Sequence, residues 1–119
     1  MTLRIVRLGT ERHPDEGTRI GTVRRPPRGV PKADFASGNW YDVWFPVLAP
    51  SAETPAQWAV FVRQYRKEMA AAEAEHSLNL LAGLSHTSNL SVGCYCEHES
   101  HCHRSVLREL LAARGADLA

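Results

Sequence analysis

At 119 residues, with 44% hydrophobic and 23% charged side chains, the chain has the size and composition of one globular domain with a single core. A formal net charge of +1 excludes a general electrostatic pull toward nucleic acid or an acidic membrane. No apolar run approaches membrane-spanning length, and the opening MTLRIVRL lacks the apolar stretch of a secretion signal, so the three cysteines are expected to be reduced thiols in a cytoplasm rather than a disulfide scaffold.

In chain order, residues 3–8 and 19–25 read as short strands joined by the polar turn segment GTERHPDEG. PPRGVPKADFASGN follows, too broken by Pro and Gly for a helix or central strand, and is expected to be a long loop. The aromatic run WYDVWFPVL suits a strand or a buried irregular segment ending at Pro46. The clearest helix lies between Pro50 and His76. Thr54 can cap it with Pro55 at the first helical position, and Trp58, Phe61, Val62, Tyr65 and Met69 fall on one stripe. A shorter helix follows, with Ser77 as its cap and Leu78, Leu81 and Leu84 buried. SHTSN is a turn and LSVGCYC a strand. The last helix begins near Cys102, turns Val106, Leu107, Leu110 and Leu111 inward, and stops at Gly115. This order of elements predicts a single α/β domain over residues 1–119, a mainly parallel sheet flanked by helices, with mixed α+β as the alternative.

The chemistry is concentrated in CYCEHESHCHR, Cys94 to Arg104, which holds all three cysteines and three of the six histidines. Alternation along a strand puts Val92, Cys94 and Cys96 on one face, with Gly93 and Tyr95 on the other. Ligands of open α/β sheets bind beyond the carboxyl ends of strands, where helix N-termini present unpaired N–H groups and positive potential. Cys102 at such a helix start is the candidate nucleophile, His103 a proton carrier and Arg104 a clamp for an anion. No Arg follows Cys94 or Cys96 by six residues, which disfavours a phosphotyrosine-type phosphatase. A second reading makes Cys94, Cys96 and Cys102, with His98, His101 or His103, a zinc set, although this is not the paired C-x-x-C spacing of structural zinc. A third leaves the thiols buried and inert.

Eight of the fourteen Lys and Arg fall in the first 32 residues. Among them Arg24, Arg25, Arg28 and Lys32 sit on or beside a loop stiffened by prolines, suited to phosphate or carboxylate, with a solvated basic loop as the plainer alternative. Ser51 offers a hydroxyl just before the long helix, or an ordinary cap. His13, His76 and His86 read as surface residues. Trp40, Tyr41, Trp44 and Trp58 read as core, with stacking on a base or sugar as the alternative.

Arg28-Gly29, Lys32, Ala49-Pro50-Ser51, the Trp/Phe/Tyr helix and CYC…CHR together resemble the family called domain of unknown function 488, from about Arg19 to Leu111. The family's frequent Trp-Pro-Arg-Gly is Pro26-Pro27-Arg28-Gly29 here, so an aromatic at position 26 is missing. The resemblance implies a small, soluble, mostly prokaryotic α/β protein and supports placing the site at Cys94 and Cys102-His103-Arg104; it implies no particular reaction. The expectation is an anion-binding site with Cys94, Cys102, His103 and Arg104 on one wall and Arg24, Arg28, Lys32 and Ser51 approaching from other elements. Its ligand would be a phosphorylated, carboxylated or nucleotide-like small molecule, with no cofactor unless zinc occupies the cysteines. Nucleic acid is not the expected partner, because no recognised binding motif accompanies the near-neutral charge.

Overall fold

The computed structural model describes residues 1–51, 57–96 and 102–119. The expected Thr54–Pro55 cap and the histidines His98 and His101 of the zinc reading lie outside the described residues.

Four strands form one all-parallel sheet in the order β1 (Leu3–Arg7), β4 (Leu90–Cys94), β2 (Thr18–Gly21), β3 (Val43–Trp44). LSVGC is buried at every position, as a strand flanked on both sides and covered on both faces must be. Register pairs Arg7 with Cys94 and Gly21 with Gly93, so three strands end side by side and release Leu8, Thr22 and Tyr95 at one edge. The strand expected over 19–25 stops at Gly21, which pairs with Gly93 and Trp44, where its neighbours β4 and β3 also reach their ends. The aromatic run supplies only the two exposed residues of β3 before Pro46–Leu48 winds into a single 3-10 turn.

Among the described residues three α-helices gather on one face of the sheet: α1 (Trp58–Met69), α2 (Ala72–Leu84) and α3 (His103–Ala113). Phe61, Tyr65 and Met69 of α1, Ala74, Leu78 and Leu81 of α2, and Val106, Leu107 and Leu111 of α3 meet Leu3, Leu90 and Val92 of the sheet in one core. The long helix expected through His76 is broken after Met69, and α2 starts well before Ser77. Alanines at 70–72 favour a helix locally, so the break comes from phase. At about 100° per residue, Leu78 would stand about 180° from Met69 on a continuous helix. Ala71 in extended conformation (φ −63°, ψ 146°) re-phases the chain, and both apolar stripes then reach the same core. Leu84 is 40% exposed rather than buried, since Leu78 and Leu81 already fill the stripe. The stop at Gly115 is a Schellman turn: Gly115 takes φ +79°, its N–H donates to Ala112 O, and Ala116 N–H donates to Leu111 O.

The other sheet face is closed by loops around a buried ion pair. Arg19 and Glu16 are 0% and 2% exposed, joined by a bidentate pair of hydrogen bonds from Arg19 Nε and Nη2 to the two carboxylate oxygens. Ser91 Oγ donates to Glu16 at 2.7 Å, and Arg19 Nη1 donates to the carbonyls of Thr10 and Asn39. Asp42 receives Arg12 at 2.8 Å and the Arg19 backbone N–H at 2.8 Å. Two of the arginines that make the N-terminal third basic in sequence are therefore neutralised in the fold. No helix among the described residues is long and apolar enough to cross a membrane.

Candidate functional site

The cysteines converge as strand alternation requires. Cys94 closes β4, Cys96 emerges two residues later on the same side, and Cys102 is the N-cap of α3. Their sulfur atoms all lie within 4.8 Å of one another, and Cys94 Sγ and Cys102 Sγ are 2.7 Å apart. Cys94 and Cys102 are buried, whereas Cys96 is exposed.

Three thiols this close share charge unevenly. Cys102 is held well below the ordinary thiol range, first by hydrogen bonds from Cys94 and Cys96 and further by His103, against the opposing effect of burial. Cys94 and Cys96 are pushed up, chiefly because each keeps its proton to donate to Cys102. The helix N-terminus adds to the same bias, since unpaired N–H groups favour a negative sulfur.

His103, 6% exposed, is fixed by the end of β2. Its Nε2 lies 2.9 Å from Thr22 O, which only accepts, so Nε2 carries the hydrogen and Nδ1 is left facing Cys102 Sγ at 3.7 Å. The Thr22 hydroxyl lies 3.2 Å from the same nitrogen and donates to Gly93 O. Tyr65 braces the imidazole edge-on at a centroid distance of 5.5 Å, while its own hydroxyl donates to Leu48 O. Nothing in the sequence marked Thr22, whose contact with His103 spans 81 positions.

Arg104 is 4% exposed and donates through Nη2 to Cys96 O at 2.6 Å, while its buried Nε has no hydrogen-bond partner among the described residues. It is the second residue of α3, and its charge also favours ionisation of Cys96. A buried cation with an unspent donor beside a thiol cluster is an arrangement that a bound anion completes.

A cavity of about 300 Å³ opens over the cluster, lined by Arg24, Arg25, Pro50, Cys94, Cys96 and His103 together with Val23 and Tyr95. Of the basic residues expected to approach, Arg24 does so, and its guanidinium also donates to Ser51 O. Ser51 itself points away, its N–H and hydroxyl both donating to Glu68, and lines a separate hollow with Arg24 and Pro46. Arg28 lines a neighbouring cavity of about 580 Å³. Lys32 is exposed in the 3-10 turn Lys32–Asp34 and lines neither cavity. His13, His76 and His86 are exposed as expected. Tyr41 is core, Trp58 stacks on Phe61, Trp44 is 44% exposed, and Trp40 lines the larger cavity.

Two relatives, the uncharacterized proteins Mb3100c of Mycobacterium bovis and Rv3073c of Mycobacterium tuberculosis, are each 28% identical over 119 residues, covering 94% of this chain and 95% of theirs. No solved structure gives a significant match. The family model described as the active DUF488-N3 subclade matches residues 3–115, and with the thiol cluster and the parallel sheet inside that span, the chain belongs to this family.

Proposed function

We propose that the protein binds an anionic small molecule in the cavity over Cys94, Cys96 and His103, and that Cys102 is the nucleophile of a thiol-based reaction on it. The observation that carries this reading is the buried Arg104 with an unpartnered Nε beside a thiol held as thiolate at a helix N-terminus. His103 Nδ1, 3.7 Å from Cys102 Sγ, would carry a proton to or from the ligand, with Nε2 held on the Thr22 carbonyl. Arg24 and Arg25 would hold the ligand at the mouth; Cys102 and Arg104 are buried behind the cavity's lining, Arg104 bonded to Cys96 O, and a ligand would reach them past Cys94 and Cys96. The family's description as an active subclade supports treating the cluster as a working site rather than inert packing.

Thermal stability in phosphate, pyrophosphate and small carboxylates tests the binding step. An anion at about 100 times its Kd stabilises the folded state by about 2.7 kcal/mol. For a domain of this size that is a rise in melting temperature of about 10 °C. Arg24→Ala is expected to lose most of that rise. No stabilisation by any anion, or an unchanged response in Arg24→Ala, would overturn the reading.

A second reading rests on the three sulfurs within 4.8 Å, a spacing that also suits a metal ion. Tetrahedral zinc with Zn–S of about 2.3 Å needs sulfurs about 3.8 Å apart. Cys94 and Cys102, at 2.7 Å, would have to open by about 1 Å to admit it. Elemental analysis of protein purified without a metal-binding tag separates the two: a full equivalent of zinc supports the metal, and a trace supports free thiols.

A further inference from the structure

The larger cavity adjoins the thiol cavity through two shared walls, Arg25 and Tyr95, and Tyr95 fixes that boundary by donating to Arg25 O at 2.8 Å. It opens at the carboxyl ends of β1 and β4, where parallel sheets place ligands. Its chemistry differs from that of its neighbour. Trp40 and Tyr95 meet edge-on at 6.0 Å and 71°, forming an aromatic corner, and both are half-buried rather than sealed in the core. Arg7, Arg25 and Arg28 stand around this corner, and no acidic side chain lines the cavity among the described residues.

The corner is built deliberately by the backbone. Gly9 takes φ +87°, and a Cβ there would lie 2.8 Å from the Trp40 ring, so the indole lies flat against a turn that only glycine forms without strain. The Gly9 N–H donates to Asn39 O, and Asn39, itself at φ +63°, directs the chain into Trp40. Arg28 is exposed and makes no hydrogen bond or ion pair among the described residues, so its guanidinium is available to a ligand. An aromatic surface and several arginines in a concavity of about 580 Å³ match a flat ring joined to an anion, and exceed what an isolated phosphate needs.

We infer that this cavity binds a mononucleotide, its base against Trp40 and its phosphate between Arg25 and Arg28, with the shared wall leading from the nucleotide to the thiol cluster. This deepens the anion reading above by naming the ligand class and rests on it only for what the nucleotide would meet at the cysteines.

Isothermal titration with AMP, adenosine and inorganic phosphate, each against wild type, Arg28→Ala and Trp40→Leu, tests the inference. AMP is expected to bind at least tenfold more tightly than adenosine or phosphate. Arg28→Ala should weaken AMP at least tenfold and leave adenosine unchanged, whereas Trp40→Leu should weaken both. A single-stranded tetranucleotide in the same series identifies the source: binding at least tenfold tighter than AMP places the nucleotide within a strand, and equal or weaker binding makes it free. AMP binding no tighter than phosphate, or unaffected by Arg28→Ala, overturns the inference. Because Trp40 packs near the core, Arg28→Ala on the exposed loop keeps the test valid if Trp40→Leu misfolds. The two readings fail separately: Arg24→Ala reports on the thiol cavity and Arg28→Ala on this one.

Discussion

Glu16→Ala is expected to cost about 3–5 kcal/mol of folding stability, because it leaves the guanidinium of Arg19 buried without its counter-charge. Arg19 is 0% exposed and cannot reach water without unfolding the loops that cover it. Its other bonds, to Thr10 O and Asn39 O, satisfy two hydrogens but supply no charge. Chemical denaturation should show the loss as a lower midpoint at unchanged slope. The pair also makes stability depend on acid. Burial alone would raise the Glu16 carboxyl, but hydrogen bonds from Arg19, Ser91 and the His13 backbone outweigh it and hold the group below its ordinary value. Asp42 is lowered likewise, with burial opposed by Arg12 and the Arg19 backbone. A carboxyl depressed in the folded state contributes stability above its unfolded value, near 4. That contribution is lost as pH falls through the folded value. Stability should therefore be flat toward neutrality and fall below about pH 4, and the Glu16→Ala protein should show a shallower acid limb. A loss under about 1 kcal/mol would mean that water reaches Arg19.

Cys102→Ser is expected to empty the cluster of negative sulfur at neutral pH. Cys102 is 2% exposed, so ultraviolet thiolate absorbance reads its ionisation more faithfully than an alkylating reagent that must first gain access. Wild type should carry about one thiolate at pH 7. With Cys102 gone, Cys94 and Cys96 lose the acceptor that makes them donors. Each reverts toward an ordinary thiol, about 3% ionised at pH 7, so the absorbance should drop at least about tenfold. Full thiolate absorbance persisting in Cys102→Ser would assign the charge to another sulfur.

Much of this arrangement was legible in the sequence where local signals are strong. LSVGC reads as a buried parallel strand, period-two alternation brings Cys96 back to Cys94, and Gly115 ends α3 as its position suggests. The break between α1 and α2 was not, because three alanines carry no turn signal and only the phase of Leu78 against Met69 betrays it. The basic loop was legible as basic but not as divided. Arg24 and Arg28 are four positions apart, yet β2 ends before them and the chain path sends Arg28 to the larger cavity and Arg24 to the thiols. Lys32 and Ser51 fell outside the cluster for the same reason: loop direction is set by distant contacts such as Trp44 Nε1 to Val23 O. Thr22 and the Glu16–Arg19 pair went unseen because isolated polar residues in short strands announce nothing until the partner strand is in place.

The cavity over Cys94, Cys96 and His103, with Arg24 and Arg25 at its mouth, is the site we propose for an anion. Anomalous diffraction from crystals of metal-free protein soaked in tungstate, a heavy mimic of phosphate, tests it most directly. A tungsten peak in that cavity, within hydrogen-bond reach of Arg24 or Arg25, is the expected result. Tungstate absent from the cavity at saturating concentration, with the cavity open to solvent in the lattice, would contradict it.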